Sequence, residues 1–211
     1  MSRTRIYVVF GAWVLVAAML AAMITLYLEL DRLRMRGDAP AVVEHQIEYP
    51  TPLYDVPAFS FIDQDGRKLT NEDLKGHVWL ADFIFTRCPG PCPLMTSNMA
   101  AAQKAVGDAD VRFVSFSIDP EYDQPAVLKR YAREHGADES RWRFVTGDPK
   151  AILDFAKGLH LSAIPATANQ GIEHDTHFVL VDQKGRVCGL YDGQGPDGWR
   201  QAAADAVKLA R

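Results

Sequence analysis

The chain has 211 residues, of which 48% are hydrophobic, and a formal net charge of −4. Its three cysteines are too few for a disulfide-stapled scaffold, so they are candidates for a site. Residues 37–211 contain 18 basic and 25 acidic residues, a formal charge of −7, which argues against a nucleic-acid partner. These 175 residues are enough for one well-packed domain and few for two.

The N-terminal segment is the first predicted element. Ile6 to Leu28 is a run of 23 residues without a charge, long enough as a helix to cross a hydrocarbon core of about 30 Å. A cleaved signal peptide is the alternative, but such a peptide has a shorter apolar core and a clearer cleavage site. We therefore expect residues 1–36 to form a single transmembrane anchor with basic flanks. Arginines lie on both sides of the run, so the charge rule alone does not decide its orientation.

Residues 37–57 follow the anchor and contain four prolines, which predicts an extended linker. We expect the folded domain over residues 58–211. It begins with a predicted hairpin from Ala58 to Leu69 around Asp65-Gly66, and a short helical turn is expected at residues 71–74.

The rest of the chain alternates strands with helices. Apolar runs rich in β-branched and aromatic residues predict the strands, and helix-forming runs that begin near proline or end near glycine predict the helices. This order, closed by a terminal hairpin, indicates an α/β fold with a central mixed sheet flanked by helices. The predicted strands are His77–Phe85, Val111–Ile118, Trp142–Thr146, Phe178–Asp182 and Val187–Tyr191, and the predicted helices are Leu94–Val106, Gln124–His135, Pro149–Gly158 and Gly198–Leu209.

Two cysteines follow the first core strand. Cys88 and Cys92 are separated by Pro89-Gly90-Pro91, and if a helix opened at Cys88 their thiols would be one turn apart and could converge. A helix N-terminus beside them would favour the thiolate form. Such a pair can bind a soft metal or close into a disulfide. Cysteines also serve as small buried hydrophobes, but the stiff, proline-rich loop argues against that use here.

A cysteine pair between the first core strand and its helix resembles the thioredoxin fold. Asp82 lies six residues before Cys88, where thioredoxins carry a buried acid that assists proton transfer at the cysteine pair. The resemblance implies the same role for Asp82, and an acid hydrogen-bonded within the sheet is the alternative. Three residues between the thiols, rather than two, depart from the thioredoxin pattern.

A more specific resemblance includes this longer spacing. Four motifs in chain order, across roughly residues 57–192, resemble the Sco/SenC family of membrane-anchored copper proteins. The resemblance implies a thioredoxin-like domain on the periplasmic side of a bacterial-type inner membrane, on a single-pass anchor with a cytoplasmic N-terminus. The motifs are Phe85-Thr86-x-Cys88-Pro89-x-x-Cys92-Pro93, Ser117-Ile118-Asp119-Pro120-x-x-Asp123-x-Pro125, Trp142-x-Phe144-x-Thr146-Gly147 and His174-x-x-x-Phe178-x-Leu180-Val181-Asp182-x-x-Gly185.

The same resemblance implies a copper site formed by Cys88, Cys92 and His174. Two thiolates and one imidazole suit copper in either oxidation state, and a small ligand set leaves an open side from which the metal can be passed on. His177 is the alternative to His174, but on one strand this odd offset would point the two histidines to opposite faces. Cys188 is expected to be a buried or edge thiol without a partner.

Three functions of different class remain open. The first is a copper metallochaperone, without turnover chemistry of its own, that delivers copper to the dinuclear copper centre of a respiratory cytochrome c oxidase. The second is a membrane-anchored thiol–disulfide oxidoreductase, in which Cys88 and Cys92 are the redox-active pair and Asp82 is a proton acceptor. The third is a copper or redox sensor. The expected partners are the oxidase subunit with the dinuclear centre, other periplasmic copper or thiol–disulfide proteins, and the membrane.

Overall fold

The chain divides into two compact units, Met1–Ile47 and Glu48–Arg211. In the first unit, residues 18–29 are helical. No helix among the described residues is both long enough and apolar enough to cross a membrane. Much of the predicted span Ile6–Leu28 lies outside the described residues, and the anchor stays a prediction. The computed structural model describes residues 13, 18–29, 50–164 and 173–211.

Ten strands lie in the described part of the second unit. They are β1 (Tyr54–Asp55), β2 (Ser60–Asp63), β3 (Lys68–Thr70), β4 (Val78–Ile84), β5 (Val111–Ser117), β6 (Trp142–Thr146), β7 (Ala163–Ile164), β8 (Glu173–His174), β9 (His177–Val181) and β10 (Arg186–Asp192). Eight of them form one sheet in the order β1-β10-β9-β4-β5-β6-β2-β3, and β7 pairs with β8 in a separate ribbon. Because β4, β5 and β6 are parallel and β9 is antiparallel to β4, the sheet is mixed as predicted.

Four α-helices connect or follow these strands, and a short 3₁₀ helix, Asn71–Leu74, precedes β4. Prolines at the starts of the first three helices cost little there, because the first N–H groups of a helix have no partner within it. Asp148 also caps the third helix by accepting a hydrogen bond from the Ala151 N–H at 2.8 Å. The α-helices are α1 (Cys92–Ala105), α2 (Pro125–Glu134), α3 (Pro149–Gly158) and α4 (Gly198–Leu209).

The core of the second unit is centred on β4, whose seven residues are all buried. Burial on both faces explains why this strand reads as a nearly continuous apolar run rather than an alternating pattern. Aromatic rings from different elements meet there, since the ring centroids of Phe83 and Phe116 lie 5.2 Å apart and those of Phe116 and Phe155 lie 4.8 Å apart. Asp82 is the one charged residue in β4, and it is 0% exposed.

The start of the domain differs from the sequence prediction. Residues 37–49 of the predicted linker lie outside the described residues, but its last residues include β1, which pairs with β10 through Tyr54 and Asp55. The Leu53 N–H donates to the Val187 carbonyl at 2.8 Å, and Val56 is buried. The folded domain therefore begins before residue 58, because this segment adds an edge strand to the sheet.

Candidate functional site

Residues 85–91, the thiol loop, lead from β4 into α1. The Cys88 N–H donates to the Phe85 carbonyl at 3.1 Å, which closes a turn, and α1 begins at Cys92 rather than at Cys88 or Leu94. A helix from Cys88 is disfavoured because Pro89 and Pro91 lack an N–H and restrict the residues before them. Cys92 therefore occupies the first turn of α1, and Cys88 lies in the loop.

The two thiols of the motif differ in their access to solvent. Cys92 is 0% exposed, and Cys88 retains 9% exposure. Neither is in a disulfide, and the Cys88 thiol is close enough to Cys92 to raise the pKa of its thiol. The two thiols therefore lie close together without the helix at Cys88 on which the prediction depended, and both are buried, Cys92 completely and Cys88 almost so.

The electrostatics of Cys92 differ from the expectation for a helix N-terminus. Burial raises the pKa of the Cys92 thiol, the Cys88 thiol and the Asp82 carboxyl act in the same direction, and a backbone hydrogen bond at Phe85 opposes them. Burial therefore favours the protonated Cys92 thiol, which acts against the thiolate expected at a helix N-terminus.

Asp82 lies in the middle of β4 with both carboxylate oxygens buried. Neither oxygen has a hydrogen-bond partner in the described part of the chain. Burial raises the pKa of Asp82 to about 7, and the hydroxyl of Ser115, the residue opposite on β5, opposes this shift. The Ser115 hydroxyl also accepts a hydrogen bond from Trp142 Nε1 at 3.0 Å, which leaves its own proton available to Asp82. An acid that titrates near neutral pH is suited to exchanging a proton with a nearby thiol.

Tyr131 on α2 is a site residue that the sequence analysis missed. Its hydroxyl shares a hydrogen bond of 2.9 Å with Thr96 on α1. Burial raises the pKa of Tyr131, Thr96 opposes the shift, and the nearby Cys92, Asp82 and Cys88 add to it. A protonated phenol therefore lies beside the thiols. Tyr131 belongs to the buried face of an amphipathic helix, and that pattern alone indicates packing rather than a site.

A buried hydrogen-bond network holds the thiol loop against the end of β5. The Asp123 carboxylate accepts hydrogen bonds from the Thr86 N–H at 3.0 Å and from the Ser117 hydroxyl at 2.6 Å. Nearer the surface, Arg87 pairs with Asp119 at 2.6 Å and stacks over Tyr122 at 4.2 Å. Most of these residues belong to the motifs noted in the sequence, but no role had been assigned to them.

His174 and His177 lie on different strands. The backbone of His174 is in β8, paired with Ala163, and its side chain is outside the described part of the structure. His177 begins β9, and its Nδ1 lies 2.6 Å from Asp175 Oδ1. The argument that placed both histidines on one strand is therefore wrong, because Asp175 and Thr176 separate β8 from β9.

The described side chains include no group of three or more His, Cys, Asp or Glu that could hold a metal ion. His174 is not among those side chains, so the predicted ligand set of Cys88, Cys92 and His174 stays a prediction. The thiol donors of that set lie together, and their chemistry fits a soft metal.

Cys188 lies apart from these groups in the chain and is buried in β10, where the register with β9 shifts between Val187 and Gly189. Its thiol is free and donates to the Arg186 carbonyl at 3.4 Å. Burial raises the pKa of Cys188. The prediction of a buried thiol is confirmed.

Comparison with known proteins decides the family. The SCO1/SenC family profile matches residues 50–210 of this chain. The chain belongs to the SCO1/SenC family. This SCO1/SenC protein is 40% identical over 144 residues to the SCO1 protein homolog of Bacillus subtilis (strain 168), an alignment that covers 66% of this chain and 75% of that protein. The predicted family is therefore confirmed.

Solved structures agree with this assignment. A SCO1/SenC family lipoprotein from Bacillus anthracis str. Ames matches with a TM-score of 0.72 and 38% identity, over 76% of this chain and 98% of that one. BsSco, a member of the Sco family of cytochrome c oxidase assembly proteins in which a disulfide switch was identified, matches with a TM-score of 0.68 and 37% identity, over 76% and 96%. Copper-bound ScoI of Bradyrhizobium japonicum matches with a TM-score of 0.63 and 27% identity, over 74% and 99%. These matches confirm the thioredoxin-like α/β fold.

Proposed function

We propose that this SCO1/SenC protein binds one copper ion through Cys88, Cys92 and His174. The observation that carries the proposal is the pair of thiols, neither of them in a disulfide, that lie close together where β4 meets α1, with Cys88 slightly more exposed than Cys92. Thiolate sulfur and imidazole nitrogen are suitable copper ligands. The copper-bound structure of Bradyrhizobium japonicum ScoI supports the same cargo for this chain.

The surroundings of Cys92 make copper binding dependent on proton release. Burial raises the pKa of the Cys92 thiol, so the metal-free site holds its proton. Metal binding requires the thiolate, and copper must therefore displace that proton. Affinity should rise with pH as a result. Asp82, whose pKa is about 7, is the buried acceptor that we propose for the proton.

The cargo is proposed to be delivered to the dinuclear copper centre of a respiratory cytochrome c oxidase. The description of BsSco as a cytochrome c oxidase assembly protein supports this destination. A site with three protein ligands leaves one side open, and an incoming ligand can attack the metal from that side. Delivery is tested by complementing a deletion strain with Cys88→Ser, which should leave the oxidase without its dinuclear copper. Full oxidase activity in that strain would contradict delivery by this site.

Copper binding is tested by anaerobic titration of the reduced full-length chain in detergent with Cu(I) against a competing chelator. The wild type should bind one copper, and Cys88→Ser should lose tight binding because a hydroxyl is a poor soft ligand. His174→Ala should weaken binding by at least about tenfold, since one of three ligands is lost. His177→Ala is the matched control and should bind as the wild type does. Full affinity in His174→Ala would contradict the proposed ligand set.

We also propose that the N-terminal segment anchors the domain to the inner membrane, with the N-terminus in the cytoplasm and the thiols on the periplasmic side. The uncharged run Ile6–Leu28 and the lipoprotein nature of the Bacillus anthracis relative support an anchored protein. Alkaline phosphatase fused after Arg211 should be active only outside the cytoplasm. An inactive phosphatase fusion together with a fluorescent cytoplasmic fusion would overturn this topology.

A thiol–disulfide oxidoreductase is the second candidate function, and the buried Asp82 carboxyl favours it. A buried acid near Cys92 that titrates at about pH 7 can accept the thiol proton during disulfide exchange. This chemistry requires Cys88 and Cys92 but not His174. If His174→Ala reduces a glutathionylated peptide at the wild-type rate and also restores oxidase assembly in cells, the oxidoreductase function is favoured over copper delivery.

A further inference from the structure

Asp123 has no part in the proposed ligand set, yet it is 0% exposed and accepts three hydrogen bonds. Its Oδ2 receives the Thr86 N–H at 3.0 Å and the Ser117 hydroxyl at 2.6 Å, and its Oδ1 receives the Thr86 hydroxyl at 2.5 Å. The carboxylate thus holds Thr86 by both its backbone and its side chain. Buried hydrogen bonds to an ionised acceptor are among the stronger ones in proteins.

The position of Thr86 connects this network to the site. Thr86 lies two residues before Cys88 in the thiol loop, and Ser117 is the last residue of β5, opposite Ile84 at the end of β4. The carboxylate of Asp123 therefore joins the thiol loop to the neighbouring strand. A second link, from Arg87 in the thiol loop to Asp119 after β5, involves an arginine side chain that is 56% exposed, and this link is expected to contribute less.

We infer that Asp123 is a positioning residue that holds Cys88 in place relative to Cys92. Cys92 is already fixed, because it is fully buried in the first turn of α1. Cys88 lies on a loop, and its backbone is held by the turn to Phe85 and by the bonds from Thr86 to Asp123. Without the Asp123 carboxylate, the thiol loop loses its buried hydrogen bonds to Asp123, and the Cys88 and Cys92 thiols spend less time in contact.

The effect on chemistry follows from the loss of preorganisation. A disulfide between Cys88 and Cys92, or a metal held by both, forms most readily when both sulfurs are already in place. The test reaction is exchange with oxidised glutathione, in which both thiols give up their protons and, together, two electrons. The S–S bond of oxidised glutathione breaks, a bond forms between Cys88 and Cys92, and two glutathione thiols carry away the protons.

The experiment equilibrates the full-length chain in detergent with glutathione buffers and measures the fraction oxidised by mass spectrometry. Trypsin places Cys188 in a different peptide from the other two cysteines. Residues 88–104 contain Cys88 and Cys92, and residues 187–200 contain Cys188. We expect Asp123→Ala to lower the equilibrium constant for disulfide formation by about tenfold, which is about 30 mV for this two-electron couple. Asp123→Asn should stay near the wild type, because the amide oxygen can still accept from Thr86 N–H and Ser117, and the amide NH₂ can donate to the Thr86 hydroxyl.

The matched control is Asp182→Ala. Asp182 is also a buried carboxylate, and it accepts the backbone N–H groups of Lys184 and Arg186 in a turn remote from the thiol loop. Its loss should lower the free energy of unfolding without changing the equilibrium with glutathione. An equal shift in Asp182→Ala and Asp123→Ala would overturn the inference, because general destabilisation would then explain both.

If Asp123→Ala does not fold, Thr86→Val decides the question. This substitution removes the hydroxyl that donates to Asp123 and keeps the hydrogen bond from the backbone N–H of residue 86. We expect a shift of about threefold in the same direction. An unchanged equilibrium in Thr86→Val would contradict the positioning role. The inference rests on the proposed function only in predicting a parallel loss of Cu(I) affinity. If the wild type binds no copper, the proposed function fails, while the glutathione comparison still tests Asp123.

Discussion

Two buried aspartates at different places along the central sheet differ in the hydrogen bonds that they accept. Asp182, in the turn between β9 and β10, accepts the N–H groups of Lys184 and Arg186 and a hydrogen bond from the Arg186 guanidinium at 2.7 Å. Asp82, in β4 near the thiols, has no hydrogen-bond partner among the described residues. We call these places the hairpin end and the thiol end of the sheet.

The difference in hydrogen bonding sets the ionisation of each carboxyl. Burial acts to raise the pKa of Asp182, but the hydrogen bonds from Arg186 and Lys184 outweigh it, and the pKa is lowered. Burial raises the pKa of Asp82 to about 7, because the Ser115 hydroxyl opposes the shift only in part. At the hairpin end, the Asp182 carboxylate therefore stabilises the turn between β9 and β10. The thiol end keeps an acid whose charge can change at neutral pH, and this costs stability.

The largest expected effect comes from Asp82→Asn. Between about pH 4 and pH 7, Asp82 is protonated in the folded protein and ionised in the unfolded chain, so the wild type loses stability as pH rises. Asn cannot ionise, and the variant should lack this loss. The variant-minus-wild-type difference in free energy of unfolding should increase across this range by on the order of 3–4 kcal/mol and then level off. Urea unfolding at several pH values measures it, and a difference that does not change with pH would contradict the assignment.

Asp182→Asn should show the opposite dependence at the hairpin end. The lowered pKa of Asp182 means that its ionised form stabilises the fold above about pH 4 and that this contribution is lost as pH falls through the folded pKa. An amide NH₂ facing the Arg186 guanidinium cannot accept its hydrogen bonds, so we expect a loss of about 2–3 kcal/mol at pH 7. The loss should shrink near pH 3. Urea unfolding at the two pH values checks this, and an equal loss at both would contradict it.

A smaller effect distinguishes Gly193, just after β10, from Gly90 in the thiol loop. A Cβ at Gly193 would lie 2.5 Å from the Thr176 carbonyl oxygen, whereas a Cβ at Gly90 in the thiol loop meets nothing within 4 Å. Gly193→Ala should therefore lower the free energy of unfolding by about 1–2 kcal/mol, because backbone must move. Gly90→Ala is the control, and we expect a change within about 0.5 kcal/mol. Equal effects in urea unfolding at pH 7 would show that the thiol loop is packed as closely as the Gly193 turn.

The elements that the sequence predicted best have a local signal at one end or at both. Trp142–Thr146, Pro149–Gly158 and Gly198–Leu209 are found with the predicted bounds, since proline, glycine and aspartate mark their starts or ends. The strand Tyr54–Asp55 was missed because it has two residues and depends on pairing with β10, far away in the chain. Helix α1 begins two residues before its predicted start, because prolines are tolerated in a first turn.

The sequence proposed candidate residues for the site but not their electrostatics. Spacing and motif were enough to select Cys88, Cys92 and Asp82. The raised pKa of Cys92 could not be predicted, because it depends on how completely the folded core excludes water from that thiol. The role inferred for Asp123 was also missed, since its contact with Thr86 exists only when the ends of β4 and β5 lie side by side.

The edge strand Tyr54–Asp55 determines where the upstream chain is attached to the domain. It pairs with Arg186 and Val187 at the hairpin end, and the Val56 N–H donates to the Gly185 carbonyl at 2.9 Å. The seven residues of β4, at about 3.3 Å each, place this attachment about 20 Å from the loop that carries Cys88. A mechanical pull on the chain before residue 53 is therefore taken up by β10. A load applied at this attachment acts about the length of β4 away from the sulfur atoms of Cys88 and Cys92, so their spacing is preserved.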